Sequence, residues 1–364
     1  MEYKMNDQIV ISTNFTGGNI CVQKTDGNTI YLKNELRDTQ QDWFYWAFCI
    51  TGAKGKTLTF TFCDKNRIGY FGPAISVDLQ KWKWLDNGCT DTSFTYTFEN
   101  DRVYFAHHML YHPDRFFSFA DRNHLEIQEL CKTKKGNSVP CLHLGNGKNN
   151  ILVTARHHAC ESTGNYVLEG FLEAYLHTPI ENIHIFCVPF VDYDGVLYGD
   201  QGKARAPHDH NRDYDTMQPC LYPETRQIKD YIQANNVMYG FDFHSPWHLG
   251  GVNDTVFIVQ NSEKKIARYR HFGNIFASSI APDSFPYDSI NDFPPNWEWN
   301  QCTAPSFSNF LMNHTSCTMS FSLETTYFGT KKQPVSQENI KNLGKCFYQA
   351  IKTLCAETAE EYND

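Results

Sequence analysis

Hydrophobic positions change their period about a third of the way along the chain. Before residue 118 the apolar residues fall in short runs, several alternating with polar ones. Lys56 to Phe62 alternates Thr with Leu and Phe, which predicts a strand with one buried face. Ile9 to Phe15, Ile20 to Gln23 and Thr29 to Leu32 are further strand candidates, the last two joined by a tight turn at Asp26-Gly27. Asp42 to Ile50 is an aromatic-rich run. Phe94 to Phe98 and Val103 to Ala106 read as a hairpin turned at Asn100-Asp101. Short strands at this spacing, without long helical patterns, predict an antiparallel β-sandwich over residues 1–117, its core filled by the aromatics.

From residue 118 strand and helix patterns alternate. Arg122 to Cys131 reads as a helix. Strand candidates follow at 151–155, 183–190, 238–243, 254–260 and 316–323, and helices at 163–177, 224–235, 262–281 and 336–356. In the first of these helices Val167, Leu168, Phe171, Leu172, Tyr175 and Leu176 share one face. In the last, Ser336 is a candidate N-cap, with Ile340, Leu343, Phe347, Ile351 and Leu354 turned to a core. The alternation predicts an α/β unit over 118–364, a mixed sheet with helices on both faces. Residues 282–310 carry five prolines and read as a long loop of the kind that often serves function.

Bulk properties narrow the class. The chain has 364 residues, 41% of them hydrophobic and 15% aromatic, enough for sizeable cores. Its formal net charge of -9 repels phosphate backbones, so nucleic acid is not an expected partner. The 13 cysteines are odd in number and contain no CxxC pair, and several lie in apolar runs, which indicates reduced thiols. The first eight residues are polar, and no apolar segment approaches membrane-spanning length. A cytoplasmic protein with no membrane partner is expected.

Four stretches carry chemistry. Arg156-His157-His158-Ala159-Cys160-Glu161 follows the apolar run Ile151 to Ala155 and leads into a helix. A His and a Glu three residues apart at such a junction can converge on one point, with donors that zinc accepts. Read alone, they are two polar residues at a turn. His244 follows the apolar run Tyr239 to Phe243, and Glu324 ends the run Ser320 to Leu323. In open α/β sheets ligand sites lie beyond the carboxyl ends of the strands, so His158, Glu161, His244 and Glu324 can share one edge. The fourth stretch holds Asp209, Asn211 and Arg212. An arginine fork with an adjacent amide can anchor a carboxylate, although a surface salt bridge is the commoner use of an arginine.

The order HxxE, Asn-Arg, His after a strand, then Glu after a strand resembles that of zinc metallocarboxypeptidases. The likeness extends to their cytosolic branch. Trp43-Phe44-Tyr45-Trp46, Phe60-Thr61-Phe62, Phe71-Gly72-Pro73-Ala74-Ile75-Ser76 and Val103-Tyr104-Phe105-Ala106 resemble that branch's N-terminal β-domain, and Asp194-Gly195-Val196 resembles part of an Asn-Pro-Asp-Gly-Val motif. The resemblance implies one Zn2+ held by His158, Glu161 and His244, with Asp209 orienting His158. His157, four residues before Glu161, is the rival for His158, which the family motif favours. Glu324 would be the general base that activates the metal-bound water. Asn211 and Arg212 would hold the carboxylate of a peptide C-terminus. An oxyanion-stabilising arginine is expected near residue 202, where this chain has Gly202; Lys203 and Arg205 are its possible substitutes. A substrate-capping aromatic would come from 282–310, with Tyr287, Trp297 and Trp299 as candidates.

The resemblance thus implies a zinc carboxypeptidase acting on peptide or protein C-termini. Some members of the branch remove glutamate, which needs a basic pocket; Lys203, Arg205, Arg268 and Arg270 are the cations to consider. Two other readings stay open: a deacylase of N-acyl amino acids on the same fold, and an inactive carboxypeptidase-like binding protein.

Overall fold

The computed structural model describes residues 1–361 except Asp7, Thr315 and Ser316, with side chains to 357. Among the described residues, ten strands occupy the first 106: β1 (Glu2–Lys4), β2 (Val10–Ser12), β3 (Cys21–Asp26), β4 (Thr29–Lys33), β5 (Ala47–Thr51), β6 (Thr57–Phe62), β7 (Ala74–Ser76), β8 (Lys83–Trp84), β9 (Ser93–Thr97) and β10 (Arg102–Ala106). They form a six-stranded sheet, β1-β2-β5-β10-β7-β8, and a four-stranded sheet, β3-β4-β6-β9. Pairing is antiparallel except between β4 and β6. The alternation read in Lys56 to Phe62 is structural: Leu58, Phe60 and Phe62 are buried. They meet Trp46, Phe48 and Phe105 of the other sheet in one aromatic core.

The hairpin expected at Asn100-Asp101 does not form. β9 pairs with β6, whereas β10 pairs with β5 and β7, so the turn carries the chain from one sheet to the other. Crossing brings the rings of Phe94 and Phe105 together across the core, 5.3 Å apart and tilted by 40°. Alternation fixes which side of a strand is buried but not which strand lies beside it.

The α/β part contains β11 (Gln128–Lys132), β12 (Ser138–Leu144), β13 (Asn149–Ala155), β14 (Ile183–Val188), β15 (Val237–His244), β16 (Val256–Gln260) and β17 (Met319–Thr325) in the order β11-β12-β14-β13-β15-β17-β16. The pairs β14–β13, β13–β15 and β15–β17 are parallel, and the flanking pairs are antiparallel. The helices are α1 (Pro113–Arg122), α2 (Thr163–His177), α3 (Tyr193–Tyr198), α4 (Pro223–Ala234), α5 (Ile266–Ser279), α6 (Phe307–Met312) and α7 (Gln337–Glu361). Ser316, the first residue of the strand expected over 316–323, lies outside the described residues.

The helix expected over 122–131 is a second correction. The helix lies earlier, with Pro113 in its first turn and His112 as its cap, and residues 128–132 are an edge strand. Proline suits a first helical turn, where its missing N–H has no partner to lose. Strand β12 went unread because Pro140 interrupts its pattern.

Period-two alternation along β15 divides the site from the core. Phe241 and Phe243 pack on Phe347 of α7 at 5.2 and 5.5 Å. Gly240, Asp242 and His244 alternate with them and take the opposite face, where α6 packs. A Cβ at Gly240 would lie 2.0 Å from Leu311 Cδ2, so glycine makes room for the Leu311 side chain of α6 against the strand. Helices therefore cover both faces of the sheet.

Candidate metal centre

The turn after β13 is shaped by a buried arginine. Arg156 has φ of 62° and donates from Nε to the Ala159 carbonyl at 2.7 Å and from Nη1 to Ser162 at 3.0 Å. The Glu161 amide donates to the His158 carbonyl at 3.2 Å, closing the turn that brings the two side chains to one side. His158 Nδ1 lies 3.0 Å from Glu161 Oε1, and His244 Nδ1 lies 2.7 Å from Glu161 Oε2. His158, Glu161 and His244 place a ligand atom each within 4.8 Å of one another, and all three are buried.

The outer nitrogens have partners of their own. His158 Nε2 lies 3.6 Å from Asp209, and His244 Nε2 lies 2.5 Å from Asp242. Each imidazole thus turns Nδ1 inward and backs Nε2 onto a carboxylate, the arrangement that fixes the tautomer of a metal-binding histidine. Each ring therefore meets a carboxylate on both sides, Glu161 at Nδ1 and an aspartate behind Nε2, and an ion bound at Nδ1 would leave the ring proton on Nε2. A tetrahedral ion with bonds of about 2.0–2.1 Å spaces its ligand atoms about 3.4 Å apart. The observed 3.0 and 2.7 Å are hydrogen-bond separations, shorter than that, and the donor set of two imidazoles and a carboxylate suits zinc.

His157, the alternative to His158, belongs to a supporting chain. Its Nδ1 meets Asp242 at 2.8 Å and its Nε2 meets the Tyr214 hydroxyl at 2.7 Å. His157, Asp242 and His244 also cluster tightly enough to hold an ion. Both nitrogens of His157 are occupied, however, and Asp242 already holds two imidazoles, so this group reads as the support of His244. Sequence reading missed Asp242 and Tyr214. The available signal for Asp242 was a lone carboxylate inside an apolar strand, two residues before His244 and so on the same face.

The electrostatics favour a cation at the centre. Burial pushes the Glu161 carboxyl up, but Lys203, His158 and His244 together hold it well below the usual range. Burial disfavours a charged His244, yet Asp242 and Glu161 outweigh it and raise its pKa well above the ordinary value. Asp209 and Asp242 are lowered despite burial, by His158 and by the pair His157 and His244 respectively.

Glu324 stands beside His244, its register partner on the neighbouring strand. It is 8% exposed and its Oε2 has no hydrogen-bond partner among the described residues. Burial raises its pKa, against the pull of His244. Lys203 brings Nζ to 2.5 Å from Glu161 Oε1. Gly202 has φ of 80°, and a Cβ there would lie 2.0 Å from the Ala159 amide. No side chain fits at 202, which explains why the expected arginine is missing there. Arg205 is surrounded by Asp192 at 2.8 Å and Asp38 and Asp200 at 3.0 Å, so its charge is met by three carboxylates.

His158, Lys203, Arg205, His244 and Glu324 line a cavity of about 580 Å³ together with Asn211 and Arg212. Asn211 accepts from the Phe307 amide at 3.1 Å, fixing its side chain against the start of α6. Its Nδ2 lies 3.3 Å from His244 Nε2, a nitrogen whose proton goes to Asp242, so the Asn211 donor remains available. Arg212 is exposed, and its Nη1 donates to the Asn211 carbonyl at 2.9 Å. Of the aromatic candidates, Trp299 lines the cavity. Tyr287 is instead buried, with its hydroxyl on Asp292 at 2.8 Å, and Trp297 is exposed outside the cavity lining. Arg268 lines a separate surface recess, and Arg270 is absent from the cavity wall.

Comparison with known proteins shows what the chain is similar to. A metallo-carboxypeptidase from Burkholderia cenocepacia superposes with a TM-score of 0.78 over 96% of this chain and 100% of its own, at 21% identity. One from Pseudomonas aeruginosa, in complex with (2-guanidinoethylmercapto)succinic acid, superposes with a TM-score of 0.77 over 95% and 99%, at 19% identity. The fold is that of the metallo-carboxypeptidases. Residues 11–108 match the family model described as the cytosolic carboxypeptidase N-terminal domain. Human cytosolic carboxypeptidase 2 is 25% identical over 298 residues, 73% of this chain and 32% of its own length. The chain therefore spans about a third of that relative. An uncharacterised protein of Zymomonas mobilis is 27% identical over 288 residues, 72% of this chain and 75% of its own. Family model, relatives and fold support one family, the metallocarboxypeptidases, on the branch that carries this N-terminal domain.

Proposed function

We propose that the protein is a zinc-dependent carboxypeptidase that removes the C-terminal residue of a peptide or protein tail in the cytoplasm. The observation that carries this reading is the inward Nδ1 pair of His158 and His244 around Glu161, beside an unpartnered Glu324 in the cavity that also holds Asn211 and Arg212. Among the described residues no helix is long and apolar enough to cross a membrane.

His158, Glu161 and His244 would hold the ion, and when bound it supplies a Lewis acid for the scissile carbonyl and acidifies a water molecule. Asp209 and Asp242 keep the two imidazoles in the tautomer this needs. Asn211 and Arg212 receive the substrate's terminal carboxylate, and the guanidinium fork suits two carboxylate oxygens. Glu324 takes a proton from the attacking water and returns it to the departing amine. Lys203, a buried cation on the cavity wall, is assigned to the oxyanion in place of the arginine that Gly202 excludes. Arg205 is assigned a structural role, because three aspartates already neutralise it.

The test compares one peptide with a free and with an amidated C-terminus, incubated with the zinc-loaded protein and read by mass spectrometry. Loss of a single C-terminal residue from the free peptide alone is expected. Equal cleavage of the amide, or turnover of N-acyl amino acids only, contradicts the reading.

A further inference from the structure

The far wall of the cavity has a composition the proposed function does not use. It is built from Ser306, Ser308 and Asn309 of α6 and the loop before it, Ser322 of β17, and Asn261 just past β16. All five are buried, between 3% and 8% exposed. Ser322 lies two residues before Glu324 on the same strand, so the two share a face. The Ser308 hydroxyl lies 3.5 Å from that of Ser322, and it lies 2.6 Å from the Asn261 amide. The wall is polar, uncharged and able both to donate and to accept.

Resting on the carboxypeptidase reading, we infer that this wall selects a C-terminal residue with an uncharged hydrogen-bonding side chain, a carboxamide best of all. A substrate clamped at Asn211 and Arg212, with its scissile carbonyl at His158, Glu161 and His244, has two directions left inside the cavity. The preceding residues must leave through the mouth, where Trp247 and Trp299 are 47% and 54% exposed. The side chain of the last residue is left facing the buried end, and Asn211 is tied by the Phe307 amide to the turn that carries Ser306 and Ser308.

The cations of the cavity are engaged elsewhere. Lys203 is held at Glu161, Arg205 by three aspartates, and Arg212 beside Asn211. A glutamate or lysine side chain would bury its charge against the wall without a counterion, which is strongly unfavourable. The Asn309 amide is already bonded to the Gln301 and Ala304 carbonyls and the Asn261 amide to Val259 and Ser308, so the groups a substrate can use are the Ser306 and Ser322 hydroxyls. An aromatic or aliphatic side chain would leave these without a partner from the substrate, and sites built to hydrogen-bond a substrate reject analogues that cannot. A carboxamide both donates and accepts, as the wall does.

A library of peptides differing only in the last residue, digested by the zinc-loaded protein and ranked by kcat/KM, tests the inference. Glutamine and asparagine are expected to exceed glutamate, lysine, leucine and phenylalanine by about 10-fold or more. Ser322→Lys is expected to move the preference to glutamate. A ranking led by a charged or apolar residue in the unmodified protein overturns the inference and leaves the carboxypeptidase reading intact. Hydrolysis of no library member overturns both.

Discussion

Glu161 is fully buried between two imidazoles and an ammonium, and those cations outweigh the desolvation that would otherwise protonate it. The same reasoning gives Asp242 its weight. It accepts from His157 and His244 at once, so it sets the tautomer of the proposed ligand and braces it against a second ring. Asp242→Asn should weaken metal binding by about 10–100-fold, as outer-shell changes do, measured by competition with a chelator. Unchanged affinity would remove Asp242 from that role. Glu324→Gln should leave metal content unchanged and lower kcat by about 10²–10⁴-fold. Wild-type turnover in that variant would exclude Glu324 as the base. The four residues His158, Glu161, His244 and Glu324 were legible in the sequence because each is a polar group at the carboxyl end of an apolar run. Asp242 was not, since it lies inside such a run and its meaning depends on which face of the strand it takes.

Among the elements, the parallel strands and the long helices could be read directly. A strand buried on both faces shows as an apolar run, and α2, α4 and α7 carry a helical period. Reading failed where neighbours decide. The run after β9 crosses between sheets because the aromatic core lies there, and residues 128–132 become a strand because β12 pairs with them. Helix α4 also contains an electrostatic liability. Glu224 has a buried Oε2 without a hydrogen-bond partner among the described residues, its neighbour His210 Nε2 lying 4.0 Å away. Burial, with Asp192 and Asp194 nearby, pushes its carboxyl up to about 7. The folded pKa therefore exceeds the unfolded value of 4.5. The folded state binds the proton more tightly, so stability falls as pH rises from the unfolded value through the folded one. Glu224→Gln should remove that fall. Urea unfolding should show the variant more stable than the unmodified protein by about 1–3 kcal/mol at pH 8, with the gap nearly closed at pH 4.5. An equal difference at both pH values would contradict the assignment.

At the scale of the molecule, the sandwich helps to build the site. Tyr45 exchanges backbone hydrogen bonds with the Gln201 side chain at 2.9 and 2.8 Å, and Asp38 accepts from the Gln201 and Gly202 amides at 3.0 and 2.8 Å. These contacts fix the segment that carries Lys203. Trp43 and Gln41 line the cavity itself. The boundary expected at 117/118 falls inside α1 (Pro113–Arg122). We therefore propose the division just before that helix, with the sandwich ending ahead of Pro113 and the α/β unit beginning there, supported by the sandwich's own aromatic core. The larger core nevertheless draws in Tyr45, Ala74, Trp82 and Ala106 from the sandwich side. Residues 112–364, which keep α1 and its cap, should therefore lack cooperative thermal unfolding by circular dichroism when produced alone. A sharp transition at the temperature of the full chain would show that the α/β unit is self-sufficient.

The account depends most on three side chains sharing one ion. Metal content of the zinc-loaded, dialysed protein, measured by plasma mass spectrometry beside Glu161→Ala and His244→Ala, tests this directly. One zinc per chain is predicted for the unmodified protein and a small fraction of that for each variant. A chain that binds no zinc, or variants that retain it in full, would contradict the account.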